Sequence, residues 1–240
     1  MITKIKKKLY LLRKVHFTNF FRLHYAQFGE DIIIRELIKK DPGNGFYVDV
    51  GCYHPKKFSN TYRLYKRGWR GINVDMDGLK IEAFNVARPD DINVNACVSD
   101  KSRELKAFSF SKYGLGSTID DSVASNTKES VYSVRTITTV TLNEIIRETP
   151  YRDRQIDLLS IDAEGHDFNV LKSLDIDLYR PKLILIEHLT ADIDNILKCE
   201  IYSYLTSKGY RLINWVGPTL FFLLPDNDIF GPIADVADHK

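Results

Sequence analysis

Cysteine is scarce in this chain, and its spacing does not match a disulfide or metal framework. Only three cysteines, Cys52, Cys97 and Cys199, occur in 240 residues, and none of them forms a CxxC pair. An odd number of widely separated cysteines argues against a disulfide scaffold and against a zinc cluster. The pattern favours a reducing compartment, so we expect the protein in the cytoplasm.

The chain also lacks a large net charge and a long apolar run. A net charge of +2 provides no general argument for binding nucleic acid, and no Asn/Asp-Pro-Pro-aromatic motif for a flipped base is present. No apolar run is long enough to cross a bilayer. At 240 residues with 44% hydrophobic side chains, the chain is large enough for one domain with a buried core.

Acidic residues are missing from the first 29 positions, and the first one is Glu30. We interpret residues 1–24 as an N-terminal extension that contains a basic amphipathic helix. Such a helix either packs on the domain with its lysines in water or lies on an anionic membrane surface. Charges interrupt its apolar stretch, so it is not a signal peptide. The pattern rests on basic residues Lys4, Lys6, Lys7, Lys8, Arg13, Lys14 and Arg22, interleaved with Ile2, Ile5, Leu9 and Leu12.

The glycine-rich phosphate fingerprint G-x-G-x-x-G is absent from the first predicted strand–helix turn. In "GFYVDVGCYHP", residues 45–55, only Gly51 lies in the turn, and bulky residues follow it. Pro55 has no N–H to donate, so the turn is a poor cradle for a pyrophosphate. It better suits a ligand without phosphate.

Apolar strands alternate with helical segments along the rest of the chain. This alternation predicts an α/β fold with a doubly wound, mostly parallel sheet. Near the end, "YRLINWV" and "TLFFLL" flank a Gly-Pro turn and predict an antiparallel hairpin at the sheet edge. Residues 103–140, rich in Gly, Ser and Thr, interrupt the alternation and predict a binding loop, a lid or a disordered insert. The predicted strands are 46–51, 72–77, 92–100, 156–162 and 182–188, and the predicted helices are 60–68, 78–87 and 166–175.

Ligands of doubly wound sheets bind at the carboxyl ends of the strands. Asp75 follows Gly51 by 24 residues, close to the roughly 20-residue spacing at which an acid binds a ribose diol. A ribose without a pyrophosphate matches S-adenosylmethionine. Its adenine would reach Ser99 and Asp100, and its amino-acid end would reach Asp49 and Gly51. The alternative is a tight turn in which Asp49 caps the next helix.

Longer stretches carry a family resemblance: "GFYVDVGCYHPKKFSNTYRLYKRGWRGINVDMDG", "DLLSIDAEGHDFNVLKSLD" and "LILIEH", with "QFGEDIIIRELI" upstream. Together they resemble the FkbM-type methyltransferase family from about Tyr25 to His188. The resemblance implies a Rossmann-like class I methyltransferase domain over residues 25–240 that depends on S-adenosylmethionine. Asn60, in the S-N-T-Y stretch, joins the predicted cofactor-binding residues. The Cys52-Tyr53 pair departs from the family pattern and makes the predicted cofactor loop bulkier.

Acidic and imidazole side chains follow the fourth and fifth predicted strands. Methyl transfer to a hydroxyl needs a base or a metal ion, because a sugar hydroxyl is a weak nucleophile. Asp162, Glu164 or His188 could accept the proton directly. Alternatively, Asp162, Glu187 and His188 could hold Mg²⁺, which prefers oxygen ligands. The sequence leaves both mechanisms open.

The acceptor is predicted from the polar loop at 112–130. Its hydroxyl and amide groups suit a polyol, and Tyr113 and Tyr132 could stack on a sugar face. We therefore expect an O-methyltransferase for a saccharide, glycan or glycolipid precursor. The alternatives are a methyltransferase for a small natural product or a protein side chain, or an inactive Rossmann-like binding module. The acidic cluster at 162–188 argues against an inactive module.

Overall fold

The computed structural model describes residues 2–16, 23–110, 117–119, 125, 130–190 and 192–231. Tyr113 and most of the predicted acceptor loop lie outside these residues. Over the described ranges, no helix combines the length and the apolar character needed to cross a bilayer.

A seven-stranded sheet forms the centre of the domain. Its order is β10-β11-β9-β8-β1-β2-β3, and every neighbouring pair is parallel except those that include β11. The predicted doubly wound α/β fold is confirmed. The C-terminal hairpin is also present, with β11 inserted between β9 and β10. The strands are β1 Phe46–Val50, β2 Arg70–Asp75, β3 Ile92–Asn95, β8 Leu158–Ile161, β9 Leu183–Glu187, β10 Arg211–Val216 and β11 Thr219–Leu223.

Helices cover both faces of this sheet. Because side chains alternate along a strand, Val48 of β1 packs in the core under α5–α9, while Tyr47 packs in the core under α2 and α3. The helices are α1 Ile2–His16, α2 Glu30–Leu37, α3 Tyr62–Lys66, α4 Gly78–Ala87, α5 Leu142–Arg147, α6 Asp167–Lys172, α7 Ile176–Tyr179, α8 Ile193–Ile196 and α9 Glu200–Ser207.

A smaller sheet occupies part of the region predicted as a loop, with the order β4-β7-β5-β6. β5 and β7 pair antiparallel over their lengths, from Glu104 with Thr138 to Ser109 with Ser133. The Ser/Thr-rich stretch thus begins and ends in strands. The β-branched residues of "SVRTITTV" favour the extended backbone of β7. The strands are β4 Cys97–Val98, β5 Glu104–Ser109, β6 Ser117–Thr118 and β7 Ser133–Val140.

Three polar residues stand side by side across the centre of the main sheet. Asp49 of β1 is in register with Asn73 of β2 and with Ser160 of β8. All three are buried on the face that α3 covers. The Thr61 hydroxyl donates to the Asp49 carboxylate over 2.6 Å, and the Asn60 amide donates to the Ser160 hydroxyl over 3.1 Å. The start of α3 is thus tied to this row.

A buried arginine joins this polar row to the loop after β1. The guanidinium of Arg88, which is fully buried, donates to the Pro55 carbonyl (2.8 Å), the Thr61 hydroxyl (2.8 Å) and the Ser59 hydroxyl (2.7 Å). The Asp91 carboxylate lies 4.0 Å from the same guanidinium. Arg88 therefore fixes the path of residues 52–61 over the carboxyl edge of the sheet.

We predict that Arg88→Ala lowers the free energy of unfolding by about 3–5 kcal/mol, because it leaves buried hydroxyls and carboxylates without their cation. Urea unfolding measures the change. The control is Arg67→Ala, which removes a partly exposed ion pair with Asp41 and should change stability by less than about 1 kcal/mol. Equal effects of the two substitutions would contradict the structural role of Arg88.

Candidate active site

A cavity opens at the carboxyl edge of the sheet. Strand tips, the turn after β1 and the β8–α6 turn form its walls. This is the position at which doubly wound sheets bind ligands. The lining residues are Gln27, Val50, Gly51, Tyr53, Phe58, Val74, Asp75, Met76, Lys80, Ala96, Cys97, Val98, Ile119, Asp162, Ala163, Glu164, His166 and Val170.

Gly51 lies in the cavity wall where β1 ends, with a φ of +76°. A Cβ atom at this position would lie 1.7 Å from the carbonyl oxygen of Asp162. Glycine is therefore required both by the backbone conformation and by the close approach of the β8 tip. Its neighbour Cys52 packs against Ile81 and Phe84. Cys52, one of the two residues that depart from the family pattern, therefore does not fill the cavity. Tyr53 does line it.

Asp75 places a carboxylate in the cavity wall at the end of β2. One oxygen accepts from the Asp77 backbone N–H over 2.8 Å, and the other accepts from Lys80 Nζ over 3.2 Å. Burial raises the pKa of Asp75, and the positive charge of Lys80 opposes that shift. This position suits a ribose diol. Binding of the ribose by Asp75 remains a prediction.

Asp49 and Asn60 lie outside the set of cavity-lining residues. Asp49 faces the α3 side of the sheet, where it binds Thr61, and burial raises its pKa. Asn60 binds Ser160 of the same polar row. Both residues thus lie outside the cavity, and their bonds to Thr61 and Ser160 attach the end of the loop after β1 to the sheet. Their contacts with the cofactor stay predictions.

Ser99 and Asp100 lie behind the far wall, which Cys97 and Val98 form. The Ser99 hydroxyl is 2.9 Å from His166 Nε2, and His166 itself lines the cavity. Asp100 pairs with Arg103 over 2.9 Å. Ser99 is therefore in a position to orient His166.

Asp162 and Glu187, at the tips of neighbouring strands β8 and β9, form a carboxyl pair. Asp162 is open to the cavity, whereas Glu187 is half-buried. Oxygens of the two side chains lie within 4.8 Å of each other. Burial raises the pKa of both carboxyls, and nearby negative charges raise it further. The two groups therefore titrate as a pair, and ionisation of both at once is unfavourable.

Asp167 completes an acidic cluster that sequence reasoning did not include in the site. Its carboxylate accepts from the backbone N–H groups of Ala163 (2.7 Å) and Gly165 (3.1 Å), and burial raises its pKa to about 6. These bonds hold the β8–α6 turn, in which Glu164 has a φ of +51°. Glu164 is thereby kept at the cavity wall in a conformation unfavourable for a non-glycine residue.

His188 lies apart from this cluster, in a neighbouring pocket that Glu187 and Asp167 also line. Burial lowers the pKa of His188, so its imidazole is neutral at pH 7. Among the described residues, the oxygens of Asp162, Asp167 and Glu187 lie within 4.8 Å of one another and could hold a metal ion. The predicted metal set of Asp162, Glu187 and His188 therefore differs from this group by one member, because His188 lies beyond the end of β9.

The cavity mouth contains two aromatic residues that sequence reasoning did not assign to a site. Tyr53 and Phe58 stack with ring centroids 6.0 Å apart, and both have positive φ angles. Their position beside Gly51 was visible in the sequence, but their orientation depends on the loop that Arg88 holds. Tyr132, a predicted sugar-stacking residue, is exposed just before β7, and the cavity lining does not include it.

We predict that Gly51→Ala destabilises the protein by at least twice as much as Gly43→Ala and lowers cofactor affinity. Gly43 has a similar φ of +71°, but a Cβ there meets nothing within 4 Å. Gly43→Ala should therefore show only the backbone strain of about 1–2 kcal/mol. Urea unfolding and calorimetric titration with S-adenosylmethionine measure both effects. Similar values for the two variants would contradict the close approach of Asp162.

We predict that Glu187→Gln stabilises the protein at pH 8 but not at pH 4. The folded-state pKa of Glu187 is raised, so ionisation destabilises the folded state as pH rises above the unfolded value of about 4.3. Glutamine cannot ionise. We expect a Tm increase of about 2–4 °C at pH 8, which corresponds to about 1 kcal/mol.

Thermal unfolding in EDTA at both pH values tests this expectation. The control is Glu144→Gln in the exposed capping box of α5, where backbone and side-chain bonds from Thr141 lower the carboxyl pKa. That variant should gain no stability at pH 8. A gain for Glu187→Gln that is equal at both pH values would show that ionisation is not its cause.

Comparison with known proteins identifies the family. Residues 49–212 match the model of the methyltransferase FkbM domain, which is more than half of the chain. Among solved structures, the chain is similar to a TehB-like SAM-dependent methyltransferase from Corynebacterium glutamicum ATCC 13032 Kitasato. The identity is 12%, the TM-score is 0.42, and the alignment covers 92% of this chain and 97% of that chain. No curated protein matches significantly. From the match over residues 49–212, the chain belongs to the FkbM methyltransferase domain family.

Proposed function

We propose that the protein is an S-adenosylmethionine-dependent O-methyltransferase that acts on a hydroxyl of a saccharide, glycan or glycolipid precursor. The observation that carries the proposal is the carboxyl pair of Asp162 and Glu187, which lies between a cavity that suits the cofactor and a second pocket. Family membership supports methyl transfer, and the pair supports transfer to an acceptor that must lose a proton.

The groups that line the cavity suit S-adenosylmethionine. Asp75 offers acceptor oxygens for a ribose diol, and the apolar wall at Ala96–Val98 offers a surface for a purine. Gly51 keeps the wall beside the Asp162 carbonyl free of a side chain. When bound, the cofactor supplies an electrophilic methyl group.

The chain's own contribution to the reaction is to bind, align and deprotonate the acceptor. Burial raises the pKa of Asp162, and repulsion from Asp167 and Glu164 raises it further, which makes the carboxylate a stronger base near neutral pH. Asp162 can then accept the hydroxyl proton as the acceptor oxygen forms its bond to the methyl carbon and the bond between that carbon and the sulfonium sulfur breaks. The proton ends on Asp162, whose neutral form burial and the neighbouring carboxyls favour.

The second pocket has the composition of a polyol site. Phe168 provides an aromatic surface, while Glu187, His188 and Lys198 provide hydrogen-bonding groups. Sugars are commonly bound by such a combination of ring stacking and polar contacts. Glu187 lines this pocket and contacts Asp162, so an acceptor bound here would lie beside the base. A small natural product or a protein side chain is the alternative acceptor.

An inactive binding module is a poorer account of the same residues. Asp162, Asp167 and Glu187 all have raised pKa values, so their proximity destabilises the ionised protein. Perturbed carboxyls of this kind in a cleft are typical of active sites. A module that only binds a partner gains nothing from them.

The proposal predicts that Asp162→Asn binds S-adenosylmethionine within about threefold of wild type but lowers turnover by about 10²–10⁴. The assay measures transfer of labelled methyl groups to a panel of free sugars, glycans and lipid-linked saccharides. Glu164→Gln should likewise lose turnover and retain binding. Asp75→Ala, the control for the cofactor site, should lose binding. Unchanged turnover in Asp162→Asn, or methylation only of peptides, would overturn the proposal.

A Mg²⁺ titration separates direct base catalysis from a metal-assisted route. If Asp162 acts alone as the base, turnover should be insensitive to EDTA and Mg²⁺. Restoration of activity by Mg²⁺ after EDTA treatment would assign the metal role to Asp162, Asp167 and Glu187. Asp167→Asn would then raise the Mg²⁺ concentration needed for half-maximal activity.

A further inference from the structure

The side chains of α1 that the structure describes, from Ile5 to Val15, are all exposed. Ile5, Leu9 and Leu12 are 58%, 69% and 45% exposed. The sequence left open whether α1 packs on the domain or lies on a membrane surface. The structure does not show α1 packed on the domain. Large aliphatic side chains held in water by one helix indicate a surface that another partner covers.

Three of the exposed side chains form an apolar stripe with basic residues on both sides. Ile5, Leu9 and Leu12 follow the spacing i, i+4, i+7, which places them along one face of a helix. Lys8 lies on one side of this stripe, and Lys6 and Arg13 lie on the other. The long stems of these basic residues can follow an apolar surface while their charged groups turn towards polar groups.

The charge of α1 has a single sign. Lys6, Lys7, Lys8, Arg13 and Lys14 occur between positions 5 and 15, with no acidic residue among them. A second copy of the same helix would bring like charges together. A nucleic acid would match the charge but leave the aliphatic stripe in water. A bilayer with anionic headgroups matches both features, since it offers negative charge beside acyl chains.

We propose that α1 docks the protein on the surface of an anionic membrane. Ile5, Leu9 and Leu12 enter the acyl-chain boundary, and the flanking lysines and arginine contact the headgroups. With 15 residues, the helix is about 22 Å long, shorter than the hydrocarbon core of about 30 Å. It therefore lies in the plane of the interface. This docking is independent of the reaction proposed above.

Co-sedimentation of the full chain with vesicles tests the proposal. Vesicles of phosphatidylcholine with about 30% phosphatidylglycerol carry the negative surface potential that attracts basic segments; pure phosphatidylcholine vesicles do not. We expect at least about tenfold stronger binding to the anionic vesicles, weakening as salt is raised. The double substitution Leu9→Asp with Leu12→Asp should lower binding about tenfold or more, and so should Lys6→Glu with Arg13→Glu.

Matched controls lie elsewhere on the exposed surface. Val86→Asp replaces an 85%-exposed aliphatic residue on α4, and Lys101→Glu with Lys106→Glu reverses two exposed lysines near β5. Both controls should bind as wild type does, and thermal unfolding should be the same for all variants.

Equal binding to neutral and anionic vesicles, or equal losses in the controls, would overturn the proposal. Binding to duplex RNA without binding to vesicles would also overturn it. So would an α1-dependent dimer that does not bind vesicles. Failure to detect methyl transfer in a protein that binds vesicles would contradict the proposed reaction and leave the membrane docking of α1 supported.

Discussion

The buried guanidinium of Arg88 is the interaction on which the arrangement of the candidate active-site cavity depends. Burying a cation is costly unless its donors and its charge are matched, and here hydroxyls, a carbonyl and the nearby Asp91 carboxylate match them. The same contacts position the loop after β1. Arg88 is therefore needed for the cavity shape although it does not line the cavity.

The carboxyls at the strand ends illustrate two electrostatic solutions on one sheet. Asp49 is compensated: it accepts from Thr61, and the charge of Arg88 opposes the effect of burial on its pKa. Asp162, on a neighbouring strand, lies beside Asp167 and Glu187, and burial with the charges of Asp167 and Glu164 raises its pKa. The first arrangement limits the cost of burying a carboxyl. The second leaves the ionised protein less stable, a trade-off typical of active sites.

Backbone strain is concentrated around the same cavity. Tyr53, Phe58 and Glu164 line it with positive φ angles, which are unfavourable for residues with a Cβ atom. Each is held by surrounding structure: Arg88 fixes the loop of the two aromatic residues, and Asp167 fixes the turn of Glu164. A strained and well-anchored wall keeps its shape when a ligand binds, which reduces the ordering that binding requires.

The amino-acid sequence by itself determined the strand–helix alternation, the parallel sheet with its C-terminal hairpin, and the place of Gly51, Asp75, Asp162 and Glu164 at the strand ends. These features follow from local periodicity and from turn chemistry, which neighbouring residues set. Only the tertiary structure decided which face each side chain takes and which distant group it meets. Cross-strand register turned Asp49 towards α3, and packing brought Arg88 beneath the loop after β1. Packing also placed Asp167 rather than His188 with the carboxyl pair and left α1 exposed. These arrangements were not visible in the sequence, because they depend on residues far apart in the chain.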